Sequence, residues 1–149
     1  MRILVTFAVE AEFAPWRKLR DLESLTLNKM PVFRTSVGSA KVDFAITGMG
    51  TDNAFRVANT LLSEPYQVCI TCGFAGALKA DHIVGRILVA DAIQQLGNSQ
   101  ILDCARNLVR AAQDDGAVRV NMVAAPQTDS PCDRTFLARS AGQCSRRRT

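Results

Sequence analysis

The chain is 149 residues long, 48% hydrophobic and 21% charged, which sets aside a disordered chain and fits one globular domain able to bury a core. No apolar run reaches the roughly 18 residues that a membrane span needs, and Glu10 follows the first apolar stretch where a secretion leader would place small residues, so a cytoplasmic protein is expected. The net charge of +4 comes mostly from the last third of the chain, where Arg146, Arg147 and Arg148 close the sequence without interleaved aromatics; this reads as a solvated tail, and neither nucleic acid nor a membrane is an expected partner.

Arg2–Ala8 is a short β-branched apolar run that predicts a strand, and Glu10–Leu19 takes up helical spacing behind it. Pro15 predicts that this helix starts only shortly before it, because proline is tolerated in a first turn. Glu10 and Glu12 then fall at a strand-to-helix junction, where open α/β sheets bind their ligands. Val32–Val37 and Val42–Thr47 flank Gly38-Ser39-Ala40 and predict an antiparallel pair joined by a tight turn. Gly48-Met49-Gly50 follows, with Thr51-Asp52-Asn53 as candidate caps of a helix over Ala54–Leu62 whose inner face would carry Phe55, Val57 or Ala58, Leu61 and Leu62.

Gln67–Cys72 reads as a buried strand running into Gly73-Phe74-Ala75-Gly76-Ala77, and Ile87–Ala90 as another. Ser99–Gln113 places Ile101, Leu102, Ala105, Leu108, Val109 and Ala112 at helical spacing, and Val118–Ala124 is the last strand expected. This alternation predicts an α/β fold, a mixed, largely parallel sheet with helices on both faces. Residues 1–124 form the expected domain. Residues 125–149 have no clear period and are expected to be a weakly ordered tail outside it.

Two glycine turns at strand ends, Gly48-Met49-Gly50 and Gly73-Phe74-Ala75-Gly76, bring backbone amides and small residues to where a polar group or a flat ligand can approach closely. Together with an acidic junction they outline a pocket, although either turn alone is as often structural. Cys69 and Cys72 have zinc-like spacing, yet residues three apart on a strand face opposite ways and no second pair follows, so no metal is expected. The five cysteines are an odd number without a leader, which predicts reduced thiols. His82 is the one histidine and reads as a loop residue. Phe13 and Trp16 read as core.

The motifs Ala8-Val-Glu10-Ala-Glu12, Thr47-Gly-Met-Gly50, Thr71-Cys-Gly-Phe-Ala-Gly-Ala-Leu78 and Val84-Gly-Arg-Ile-Leu-Val-Ala-Asp91 recur in order and at suitable separations. In these the chain resembles the nucleoside phosphorylase/nucleosidase superfamily, closest to its methylthioadenosine/S-adenosylhomocysteine nucleosidase and hopanoid-associated phosphorylase-like branches. The resemblance implies cleavage of a purine nucleoside's N-glycosidic bond, with Glu12 orienting or activating the attacking water and the Gly73–Ala77 loop packing beside the purine. It implies no cofactor, a small-molecule nucleoside partner, phosphate as a possible co-substrate, and a homo-oligomer. Thr71 and Phe74 stand where phosphorylases of the superfamily use an arginine and a serine to hold phosphate, which favours hydrolysis. Arg86 replaces a customary turn aspartate.

Asp133–Gly142 resembles the stretch before the superfamily's Met-Glu ribose-binding segment, but Gln143–Thr149 follows in its place, and the strand bearing the aspartate that protonates the leaving base does not appear. The expectation is a truncation or a shifted reading frame near Gly142, leaving a nearly inactive enzyme. The alternative is a non-catalytic chain that binds a nucleoside or pairs with a related subunit.

Overall fold

A computed structural model describes residues 1–77, 83–95, 100–124 and 137–140. The chain divides into two compact units, Met1–Phe74 and Ala75–Thr149.

In the first unit β1 (Arg2–Phe7), α1 (Glu10–Leu19), β2 (Glu23–Leu27), β3 (Met30–Val37), β4 (Ala40–Ile46), α2 (Thr51–Leu61) and β5 (Val68–Cys72) build a five-stranded sheet in the order β2-β3-β4-β1-β5. β1 runs parallel to both β4 and β5, whereas β2-β3 and β3-β4 are antiparallel hairpins. Strand alternation sends successive side chains to opposite faces, and each face acquires a helix. Leu4 and Ala45 pack with Val57 and Leu61 of α2. Val5, Phe7, Val42 and Phe44 pack with Phe13 of α1. Phe13 is fully buried, its ring 5.5 Å from Phe7, 5.1 Å from Phe33 and 5.6 Å from Phe44. Burying a side chain of that size is worth about 1.5–3 kcal/mol, so one aromatic anchors α1. Trp16 lies against Phe7 and Phe44 with its outer edge exposed.

The α2 face also buries a charge. Asp43 of β4 has no exposed surface, and its carboxylate accepts hydrogen bonds from Arg34 (Nε 2.6 Å, Nη2 2.8 Å), Arg2 (Nη2 3.1 Å) and the Tyr66 hydroxyl (2.7 Å). Burial alone would raise the acid's pKa, but the donors Arg34, Tyr66 and Arg2 outweigh it and hold the carboxyl below its ordinary value. β4, β3, β1 and the approach to β5 are thus tied by one side chain.

Several sequence expectations are corrected here. Pro15 lies well inside α1, which already starts at Glu10; its ring removes one helical bond without ending the helix, because Phe13 fixes the helix by packing. Thr51, Asp52 and Asn53 are within α2 and do not cap it, Gly50 taking the cap position without any side-chain bond. The helix begins earlier than expected, so Val57 and Leu61 face the core while Phe55 and Leu62 are exposed. β5 is the outermost strand of its sheet, and its middle residues are exposed. β2 was not foreseen from its Glu-Ser-Leu-Thr-Leu alternation; it turns into β3 through Asn28 and Lys29, both at positive φ (48° and 67°), as a two-residue hairpin of the favoured hand requires.

In the second unit β6 (Gly76–Ala77), β7 (Leu88–Gln95), β8 (Ile101–Asp103), α3 (Arg106–Asp114), β9 (Val118–Ala124) and β10 (Leu137–Ser140) form a sheet in the order β6-β10-β9-β7-β8. β7 and β9 are parallel, with a register shift between Ala90 and Ala92 that leaves Asp91 unpaired in the ladder. The expected helix over Ser99–Gln113 is corrected: Ile101–Asp103 pairs antiparallel with β7, and helix begins only at Arg106. Ladder bonds to β7 outweigh the helical spacing of Ile101 and Leu102, both of which remain exposed. α3 buries Val109. Val84-Gly85-Arg86 forms a turn, Ile83 accepting from the Arg86 amide at 3.3 Å with Gly85 at φ +86°. β10 falls in the stretch without sequence period and pairs with β9 and β6; the rest of 125–149, like His82, lies outside the described residues. Among the described residues no helix is long and apolar enough to cross a membrane.

Candidate active site

Because β1 is flanked by two parallel neighbours, three carboxyl ends lie side by side: Phe7 is in register with Ile46 on one side and with Cys72 on the other. The segments leaving these ends are Ala8-Val9 into α1, Thr47–Gly50 into α2, and Gly73-Phe74. Glu12, Gly48, Met49, Gly50, Gly73 and Phe74 are therefore gathered at one end of one sheet. Ala75 and Gly76 begin the second unit, where Gly76 pairs in parallel with Leu137.

Glu12 reaches back over the start of its own helix. Val9, at the cap position, offers no side-chain acceptor, and Glu12 Oε2 accepts the amides of Ala8 (2.9 Å) and Val9 (3.2 Å), taking up the acidic half of a capping box. Its other oxygen, Oε1, accepts the Phe74 amide at 2.9 Å, from across the sheet. Hydrogen bonds of this kind to an ionised carboxylate are the stronger ones, so the group is fixed in place by main chain. Beside it, burial and the Glu12 charge both push the Cys72 thiol up, which keeps it protonated at neutral pH. Glu10, by contrast, is exposed in a surface pair with Arg17 at 3.1 Å.

The Thr47–Gly50 turn is tied from both sides. The Thr47 amide donates to the Phe7 carbonyl (2.8 Å) and its hydroxyl to the Gly48 carbonyl (2.9 Å), while Asn53 Nδ2 donates to the Met49 carbonyl at 2.8 Å. Gly48 and Gly50 have φ of +84° and +91°, values that side chains rarely adopt. With no side-chain cap on α2, the first-turn amides are directed toward this strand end, where an anionic or polar ligand group can be received. Met49 and Phe74 are exposed, Phe74 to 74%. Thr71 shares a hydrogen bond with Thr6 at 3.1 Å. Sequence reasoning missed Asn53 as the anchor of the turn and Cys72 as the neighbour of Glu12. The second could have been read from parallel strands of equal phase, Phe7 and Cys72 each being the last strand residue.

The second unit has a separate cleft of about 380 Å³, lined by Asp91, Asp103, Cys104, Arg106, Arg110 and Arg119 among others. Arg119 is paired with Asp91 at 2.7 Å. None of the candidate catalytic or substrate-binding residues lines it, and its mixed charge selects no ligand.

No protein-family model matches the chain, and no curated protein matches it in sequence. Solved structures do: the fold is that of the nucleoside phosphorylase/nucleosidase superfamily, as the sequence motifs implied. The 5'-methylthioadenosine/S-adenosylhomocysteine nucleosidase of Helicobacter pylori, in complex with butyl-thio-DADMe-Immucillin-A, superposes with a TM-score of 0.73 at 14% identity over 95% of this chain and 75% of that one. A mutant of the futalosine hydrolase of the same organism gives 0.69 at 15% identity over 95% and 80%. The S-adenosylhomocysteine nucleosidase of Streptococcus pyogenes, in complex with 5-methylthiotubericidin, gives 0.68 at 18% identity over 94% and 74%.

Proposed function

We propose that this chain is built to cleave the N-glycosidic bond of a purine nucleoside, with water as the acceptor. The observation that carries the reading is Glu12: a carboxylate at the carboxyl end of β1, held by three backbone amides and adjoining two glycine turns. Cleaving such a bond passes through an oxocarbenium-like ribose, and the acceptor water must be aimed at the sugar carbon and relieved of a proton as it adds. A carboxylate immobilised by main chain supplies orientation and a proton acceptor together. In this reading the purine lies along Gly73 and Phe74, with Phe74 offering a ring face, and the polar part of the nucleoside approaches Gly48, Met49 and Gly50. These segments carry no Lys or Arg, which supports water over phosphate. Structural neighbours that are nucleosidases support the substrate class, and methylthioadenosine and S-adenosylhomocysteine are the first candidates.

The test is base release from each candidate by the purified chain, alone and with Glu12→Gln, in buffers with and without phosphate. Slow release, as the expectation of a nearly inactive enzyme requires, that does not depend on phosphate and is lost in Glu12→Gln is the expected result. Release unchanged by the substitution removes Glu12 from the mechanism. Saturable binding of the nucleoside without release replaces the enzyme with a nucleoside-binding chain, the alternative that the sequence raised.

A further inference from the structure

We infer that Gly73 is a positioning residue for Glu12, and that Glu12 Oε1 is the one carboxylate atom with room for the attacking water. The inference rests on the nucleoside-hydrolysis reading for its catalytic half and on geometry alone for its steric half. A carboxylate has about four acceptor positions, two on each oxygen. Oε2 spends both on Ala8 and Val9, and Oε1 spends one on Phe74. Among the described residues no further donor reaches the group, so one position is left, on Oε1.

The same atom sits against Gly73. A Cβ at Gly73 would stand 2.6 Å from Oε1, closer than such atoms approach in folded proteins, and 3.0 Å from the carboxyl carbon of Glu12. The usual relief, a flexible side-chain end swinging aside, is costly here, because the carboxylate is held by amides on two sides and any retreat from Gly73 lengthens at least one of those bonds. Gly73 is also not among the glycines at positive φ, so its backbone would accept alanine. Glycine is required at this position for space, and what fills the space is the carboxylate. Gly73 thereby sets where Oε1 lies, and through it where a water can be held.

The test needs no substrate in its first part. In ¹⁵N-labelled protein the amide protons of Ala8, Val9 and Phe74 should shift together across one carboxyl titration, since all three donate to the same group. In Gly73→Ala the Phe74 amide should leave that shared titration while Ala8 and Val9 remain in it. Continued titration of Phe74 with Glu12 in the variant overturns the inference.

Thermal melts of a double-mutant cycle guard against a variant that simply folds poorly. Gly73→Ala should lower Tm in the wild-type background and leave it unchanged in Glu12→Ala, where the Cβ has room. An equal drop in both backgrounds overturns the steric argument.

In turnover, Gly73→Ala should reduce kcat on the order of 10²-fold, as a misplacement near 1 Å does, with KM little changed. Unaltered kcat in Gly73→Ala, alongside loss of turnover in Glu12→Gln, refutes the positioning role and spares the proposed function. If Glu12→Gln itself turns over normally, the proposed function fails, and the steric claim is judged by the amide titration and the melts.

Discussion

Replacing Asp43 by asparagine tests whether the buried ionic hub holds the first unit together. The substitution keeps shape and volume but supplies one acceptor oxygen where the carboxylate has two. The better amide orientation keeps the oxygen at the Oδ2 position, preserving the bonds from Arg2, Tyr66 and Arg34 Nη2, and sets the amide nitrogen against Arg34 Nε, which donates to Oδ1 at 2.6 Å in the native protein. The opposite orientation would set three donors against the nitrogen. One bond becomes a donor-donor contact, and two guanidinium groups lose their shared counter-charge, Arg2 keeping only Glu64. Breaking a buried ion pair costs roughly 3–5 kcal/mol; because both arginines are 23% exposed, water recovers part of this and about 3 kcal/mol is expected.

At about 2–4 °C per kcal/mol for a chain near this size, Tm should fall by about 6–12 °C. Urea denaturation followed by circular dichroism at pH 7 measures the free energy directly. The pH dependence carries a sign of its own. The Asp43 carboxyl is depressed in the folded state, so its stabilisation is complete above the ordinary carboxyl pKa of about 3.9 and drains away as pH falls through the lower folded value. The gap between wild type and Asp43→Asn should therefore close in acid. A difference below about 1 kcal/mol at pH 7, or one that widens in acid, would refute the argument.

Other consequences are open to simpler measurements. Phe13→Ala should cost about 3–5 kcal/mol by urea denaturation, since a fully buried ring leaves a cavity among Phe7, Phe33 and Phe44; a loss under 1 kcal/mol would mean that α1 does not depend on it. Lys29→Gly should raise stability by up to about 1 kcal/mol, because φ of +67° strains a side-chain-bearing residue, and a lower Tm would contradict the hairpin geometry. Burial and Glu12 both raise the Cys72 thiol, so at pH 8 iodoacetamide should label exposed Cys69 before Cys72. Glu12→Gln should then speed Cys72 labelling relative to Cys69; an unchanged ratio would show that the carboxylate does not act on that thiol.

What the sequence could show depended on where the information was stored. Runs such as Arg2–Phe7 and Val118–Ala124 announce themselves because local propensity and tertiary demand agree, and the glycine turns after β4 and β5 are visible as chemistry. Ile101 and Leu102 misled because their spacing fits a helix while the neighbouring strand offered a ladder. Asp43 carried no signal at all: a lone acid in an apolar run becomes intelligible only when Arg2, Arg34 and Tyr66, drawn from three other segments, are found around it. Of the site, Glu12 and the two turns were legible as residue types at strand ends. That both carboxylate oxygens accept main-chain amides, with Oε1 lying against Gly73, depends on a segment some 62 positions downstream.

That long-range bond also bears on how β5 finds its alignment. A slip of one residue between β5 and β1 would exchange the two faces of the strand and be penalised by the hydrophobic pattern. A slip of two would preserve the faces, and with Cys69, Ile70 and Thr71 exposed little side-chain packing distinguishes it from the native alignment. Such a slip moves the Phe74 amide by about 6.6 Å along the strand, far out of reach of Glu12, and strands a carboxylate oxygen. The Glu12 carboxylate thus doubles as a vernier, by which the chain reads whether its fifth strand has docked at the right notch.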